Sequence, residues 1–371
     1  MKKRRSKDYR DDEPLPEGEE WVEWCGVLMW VAGWTSGGAP YGLTVDEWRS
    51  AMRDSERQAG WAKAWWVLEA LFTQRCGPEV SVEVGRVSRL GSGMTRDAFV
   101  AWVSLEPDLE ALSGQYVALL PRPESQPDRN FFVRRELMML KVLGEQALPF
   151  RVPLAIGVLP LAGRLALVQR AMSGTPLDLR AGRQSGVRPW EVVGHVAAAL
   201  HSLELPVLRQ LREPGATTRR DHALEALAVF DELDEPEAVD ARAWALEHLP
   251  PPESARLTHG DLLGQNILIE PNEPPAVIDW TCAAFGDPAW DLAVVTRGVR
   301  RPFQIERGLA RLLDAYRAAG GVELRAEHVR LYELAMAANW YRESLAPDWN
   351  GGERPDAALA RIKRILTMAT Q

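Results

Sequence analysis

Lysine is scarce in this chain: six of 371 residues, at positions 2, 3, 7, 63, 141 and 363, against thirty-eight arginines. Any chemistry that needs one lysine in a fixed place therefore has few candidates, and none between Lys63 and Lys141. Cysteine is scarcer still. Cys25, Cys76 and Cys282 are an odd number with no CxxC spacing, which excludes a disulfide framework or a zinc site and fits a reducing cytoplasm. The longest apolar stretch, residues 25–34, is too short to span a bilayer. The basic start Met1-Lys2-Lys3-Arg4-Arg5 runs into an acidic stretch, residues 11–20, rather than an apolar one, so it reads as a solvated, disordered tail and not as a signal peptide. No excess of positive charge exists: the net charge is −8, which excludes bulk attraction to nucleic acid while leaving room for a local basic pocket. A cytoplasmic globular protein without nucleic-acid or membrane partners is expected, and its oligomeric state is not legible.

What is present is concentrated between Leu257 and Ala293: LTHGDLLGQNILIEPNEPPAVIDWTCAAFGDPAWDLA. Residues 267–269 and 276–278 are short apolar, β-branched runs, and the Glu-Pro-Asn-Glu-Pro-Pro between them cannot continue a ladder, so the two form an antiparallel hairpin. Its base brings Asn266, entering the first strand, toward Asp279, leaving the second. Asp261 lies five residues before Asn266 in a loop with Gly260 and Gly264. Hard oxygen ligands around one point suit Mg²⁺, and Mg²⁺ commonly accompanies a phosphorylated substrate such as ATP. Beyond the hairpin, Asp287 is a natural N-cap and Pro288 a natural first helical residue.

This stretch resembles the aminoglycoside phosphotransferase superfamily of kinase-like enzymes, in which an HGDxxxxN loop and an IDW-type segment carry the chemistry. The resemblance implies an α+β, two-lobed, protein-kinase-like fold: a small β-rich N-terminal lobe over residues 81–172 and a larger, mostly helical C-terminal lobe over residues 173–371. It implies an ATP- and Mg²⁺-dependent transfer of the γ-phosphate to a hydroxyl of a small-molecule acceptor, an antibiotic or a metabolite. By it, Asp261 would orient the acceptor hydroxyl and take its proton, and Asn266 and Asp279 would hold Mg²⁺ on the phosphates. His259, Asp287 and Asp291 would order the loop.

The same resemblance assigns the upstream elements. Gly91 and Gly93, in Leu-Gly-Ser-Gly-Met-Thr-Arg, would cover the phosphates, because glycine lets backbone N–H groups approach an anion. The strand 116–120 should carry a phosphate-pairing lysine or arginine, but Leu119 stands at that position. The nearest basic residue is Arg122, which either reaches the phosphates or faces solvent. Glu136, on a helix over residues 131–144, matches the family glutamate and so lacks its usual partner; Arg122 or Arg135 could supply one, or the residue is a surface charge. Backbone groups from Gln169 to Ala171 would face the adenine. A helix over residues 190–203 would pack behind the catalytic loop, and helices over residues 303–319, 326–345 and 355–368 would close the C-terminal lobe and build the acceptor pocket.

Residues 1–80 read as an extension: the disordered start, then a tryptophan-rich helical segment. Thr44-Val45-Asp46-Glu47 is a capping box opening a helix to about residue 74, interrupted near Gly60. Trp61, Trp65, Leu68 and Phe72 recur at helical spacing, so that face packs on the body or serves a partner. The missing strand lysine keeps a second reading open, a catalytically weak nucleotide-binding pseudokinase or scaffold with a Trp-rich partner surface. A protein kinase is disfavoured, since Gly260 replaces the usual arginine and no DFG or APE is present.

Overall fold

The computed structural model describes residues 21–24, 27–34, 40–92, 96–108, 111–122, 130–161, 164–205, 217–346 and 354–371. They fall into two units, Met1–Trp66 and Val67–Gln371. In the first, β1 (Trp21–Trp24), β2 (Val27–Trp34) and β3 (Pro40–Thr44) form an antiparallel sheet in that order. The first part of the expected tryptophan-rich helical segment is thus β, and its second part, from Val45 on, is helical. The aromatic and β-branched residues of the first part suit a pleated surface, and Trp21 stands opposite Trp30 across the ladder. The helix α1 (Val45–Cys76) then runs unbroken through Gly60, because one interior glycine costs only about 1 kcal/mol against many backbone bonds. The boundary between the units falls within α1. The expected disordered start lies outside the described residues.

The second unit opens with the end of α1, where Val67, Leu68, Leu71 and Phe72 are buried, while Trp61 and Trp65 of the same apolar stripe remain exposed. Full burial of one such side chain contributes about 1.5–3 kcal/mol. The small lobe follows: β4 (Ser81–Val84), β5 (Ser88–Ser92), β6 (Arg96–Glu106), β7 (Gly114–Pro121), α2 (Asn130–Gly144), β8 (Ala155–Leu161) and β9 (Arg164–Arg170). The sheet order is β4-β6-β7-β9-β8, with β5 also pairing β6. Along β7 the burial alternates, with Tyr116, Ala118 and Leu120 fully inside. Phe72 of α1 meets Tyr116 edge-on at 4.7 Å. The other face of β7 carries Val117 and Leu119, and Leu119 packs into the core that includes Val133, Met139 and Leu140 of α2.

The large lobe contains β10 (Thr175–Pro176), α3 (Pro189–His201), α4 (Arg219–Leu227), α5 (Pro236–Glu247), β11 (Arg256–Thr258), β12 (Ile267–Ile269), β13 (Ala276–Val277), β14 (Ala284–Gly286), α6 (Ala289–Thr296), α7 (Gly308–Ala318), α8 (Ala326–Ser344) and α9 (Pro355–Ala369). The expected hairpin is there: β12 and β13 pair antiparallel with Ile267 opposite Val277, and the turn passes through Asn272 at positive φ. Its strands are fully buried beneath the helices, so the loop before β12 and the turn after β13 sit on a rigid base. No described helix is long and apolar enough to cross a membrane.

Candidate active site

Local backbone chemistry shapes the loop before β12. Gly260 has φ +80°, and a Cβ there would lie 2.2 Å from the Cys282 carbonyl oxygen, so no side chain fits between His259 and Asp261. His259 is buried, and its ring bridges the loop to the hairpin. Nε2 lies 3.0 Å from the Ile278 carbonyl, and the Asp261 N–H donates to Nδ1 at 3.3 Å. A carbonyl only accepts and an amide N–H only donates, so the proton is assigned to Nε2. The buried Asp291 carboxylate closes the turn: it accepts from the backbone N–H groups of His259 and Gly260, both at 2.8 Å, and lies 3.0 Å from His201 Nε2. Burial alone would raise the Asp291 carboxyl, but the bonds from His201 and His259 hold it below its ordinary value.

Asp261 and Asn266 are brought together as expected. Asn266, buried, donates through Nδ2 to the Asp261 main-chain oxygen at 2.8 Å and to its Oδ2 at 3.1 Å. With Nδ2 turned to that acceptor pair, Oδ1 is on the other side of the amide. The Ile278 N–H donates to the Asn266 carbonyl at 2.9 Å, which ties Asp279, the next residue, to the base of the hairpin. Asp279 takes a left-handed conformation, φ 61° and ψ 69°, uncommon for a residue with a side chain and costing about 1–3 kcal/mol. Its carboxylate is half exposed. Among the described residues no three His, Cys, Asp or Glu side chains converge as metal ligands. The Asn266 and Asp279 oxygens nevertheless fit Mg²⁺, which keeps several waters and substrate oxygens and takes one or two protein ligands.

The small-lobe half of the site departs from expectation. Glu136 is neither a surface charge nor a partner of Arg122 or Arg135. It is buried, and Arg96 Nη1 at the start of β6 donates to its Oε2 at 2.7 Å. The Thr281 hydroxyl accepts from Arg96 Nη2 at 2.5 Å and lies 2.8 Å from Asp279 Oδ1 and 3.1 Å from Glu136 Oε2, so its single proton serves one carboxylate at a time. Arg135 instead donates to the Thr281 carbonyl at 3.2 Å. Arg122 turns to Asp97, donating through Nε at 3.1 Å to an oxygen that Arg89 also contacts. Gly91 lies in β5, near Ala98 of β6, and Gly93 falls outside the described residues. Gln169 is buried in β9 between β7 and β8. The N–H groups of Arg170 and Ala171 donate to Leu154 and Gln115, so those two donors serve the lobe itself and a base meeting this strand must use other groups.

Residues 108–334 match the family described as APH, phosphotransferase enzyme family. The chain belongs to that family. As a member it is a kinase-type phosphotransferase acting on hydroxyl groups. Its fold is similar to that of macrolide 2'-phosphotransferase MphH from Brachybacterium faecium, at 23% identity and a TM-score of 0.55 over 80% of this chain and 98% of that one. It is similar also to macrolide 2'-phosphotransferase type I, at 22% identity and a TM-score of 0.54 over 80% and 95%. Aminoglycoside 2'-phosphotransferase-IIIa, solved with GDP, gives 17% identity and a TM-score of 0.54 over 80% and 96%. Comparison with curated protein sequences gives no match.

In this phosphotransferase Asp261 borders a cleft of about 590 Å³ between the loop before β12, α4, α6 and α8. Trp290, Val294, Met336 and Trp340 give it apolar walls, and Glu225 and Glu232 add acids. Arg297, at the left-handed C-cap of α6, places Nη2 3.7 Å from Asp261 Oδ1 and its guanidinium over the Trp340 ring. Burial holds Arg297 below its ordinary value; Asp261 pulls the other way and Arg361 adds to the lowering. Arg96, Thr281 and Arg297 were not singled out from the sequence. Arg96 closes the glycine turn in the chain, and only the fold shows that it meets Glu136.

Proposed function

We propose that this phosphotransferase moves the γ-phosphoryl group of ATP, bound with Mg²⁺, to a hydroxyl of an amphipathic small molecule seated beside Asp261. The observation that carries the reading is the Asp261 carboxylate, fixed by Asn266 on a buried hairpin yet open to the cleft. The acceptor hydroxyl would hydrogen-bond to Asp261, its oxygen would bond to the γ-phosphorus, the bond to the β–γ bridging oxygen would break, and the proton would pass to the carboxylate. Asn266 and Asp279 would hold the metal, whose contribution is to neutralise phosphate charge. The rest is positioning, since phosphoryl transfer needs little covalent help.

The walls of the cleft favour a large, mostly apolar acceptor of the macrolide kind over a polycationic aminoglycoside. Trp290, Val294, Met336 and Trp340 suit apolar surface, and Arg342 already partners Glu232 at 3.1 Å. Arg297 beside Asp261 would repel a polycation. The test is product detection by mass spectrometry with Mg·ATP and panels of macrolides and aminoglycosides. Macrolide phosphorylation is expected, and Asp261→Asn should lower kcat by about 10²–10⁴-fold with nucleotide binding kept. Unchanged turnover in that variant overturns the role of Asp261; phosphorylation of aminoglycosides alone overturns the acceptor class.

A further inference from the structure

A kinase-like site holds the donor phosphates with a basic residue that a helix carboxylate keeps in place. β7 offers none: the face that carries Leu119 presents Val117, Leu119 and Pro121. The helix carboxylate is nevertheless present and engaged, since Glu136 is 1% exposed and bonded to Arg96. Across the β6–β7 ladder Arg96 stands opposite Pro121 and Ala98 opposite Leu119, with no register shift between them. Cross-strand partners share a face, and so do residues two apart on one strand. Arg96 therefore projects from the same face as Leu119, one strand over and two residues nearer the glycine turn. An arginine is long enough to cover that offset and carries five N–H donors.

We infer that Arg96 binds the donor phosphates in this chain, anchored by Glu136, in place of a basic residue on β7. The inference rests on the ATP-dependent reading above. One N–H group of Arg96 serves Glu136 and another Thr281, which leaves three for an anion. Nη2 lies 3.7 Å from Asp279 Oδ1, beyond hydrogen-bonding distance. The guanidinium thus stands beside the carboxylate assigned to the metal, where phosphate oxygens would meet the positive charge of the guanidinium next to that of the ion. Thr281 links the two carboxylates and the guanidinium into one cluster, so the β6 anchor and the metal residue hold a shared position.

The test measures Mg·ATP affinity by titration calorimetry alongside thermal stability. Arg96→Met alone would strand a buried carboxylate and lower stability, so it is paired with Glu136→Gln, which removes the stranded charge. The double variant should melt near the wild type yet bind Mg·ATP about 10- to 100-fold more weakly, the equivalent of one lost charge-assisted hydrogen bond. Arg96→Lys should keep much of the affinity. Arg96→Met/Leu119→Lys, which puts the basic group back on β7 within reach of Glu136, should recover part of it. Wild-type affinity in the folded Arg96→Met/Glu136→Gln protein would overturn the inference and make Arg96 only the internal counter-ion of Glu136. A wild-type protein that binds Mg·ATP but phosphorylates no acceptor would overturn the proposed transfer and leave the Arg96 comparison intact; one that binds no nucleotide would overturn both.

Discussion

The two halves of the site are built on different physical terms. In the large lobe, Asp261, Asn266 and Asp279 sit at fixed offsets along one continuous stretch, and buried charge holds the loops that carry them. Arg219 is fully buried and its Nε donates to Asp287 Oδ1 at 2.9 Å, while Glu253 takes Nη1 at 2.8 Å. Asp287 also accepts from the Ala289 N–H at the start of α6, and Asp291 clamps the Gly260 turn. In the small lobe, a basic group on one strand reaches a carboxylate on a helix, and the strand chosen is β6 rather than β7. A short-range constellation cannot move one residue at a time without losing its backbone contacts. A long side chain on a shared sheet face can be supplied from either of two neighbouring strands, because only the position of its end matters.

That contrast can be broken most sharply at Arg219. Arg219→Met leaves Asp287 buried without its ion pair and should cost about 3–5 kcal/mol in urea unfolding, with Arg219→Met/Asp287→Asn recovering part of the loss. A cost below about 1 kcal/mol would mean that buried charge is not what holds the large-lobe half. A smaller effect is expected from acid. Burial holds His222 below its ordinary value of 6.5, against the pull of Asp287 and Asp291, and its Nδ1 accepts from the Asp287 N–H at 3.1 Å. As pH falls below that ordinary value the unfolded chain takes up a proton the native state resists, so stability declines. Asp291, depressed below its own ordinary value of 3.8, adds a loss of the same sign further down. The urea midpoint should therefore fall between about pH 7 and pH 5, and His222→Gln should flatten that slope; a wild-type midpoint constant over the window would refute it. The smallest effect sharpens the small-lobe half. Arg122 pairs with Asp97 near the surface, so Arg122→Ala should shift stability by no more than about 0.5 kcal/mol and leave Mg·ATP affinity unchanged. A large loss of affinity there would return the phosphate contact to Arg122.

Legibility followed the same division. The hairpin, its turn and the meeting of Asp261 with Asn266 were readable because each depends on neighbours in sequence: apolar runs, a proline-rich break and a five-residue offset. Of the last three helices expected, two end within a residue of the expected bounds, whereas α7 begins at Gly308 rather than at Phe303, whose positive φ keeps it out of the helix. The β1–β3 sheet was not readable, since short tryptophan-rich runs carry no period long enough to separate strand from helix. Arg219 lies in a strongly charged segment with no local signal of burial, and its burial against Asp287 depends on residues sixty-eight positions apart.

By itself the sequence determined the local architecture of the large-lobe half, the hairpin and the meeting of Asp261 with Asn266, because the HGD-to-IDW stretch is one local unit of neighbouring residues. Tertiary structure alone decided which base serves Glu136. Arg96 and Glu136 are forty residues apart, and the strand register that turns Arg96 to the face of Leu119 is set by the pairing of β6 with β7, not by either segment alone.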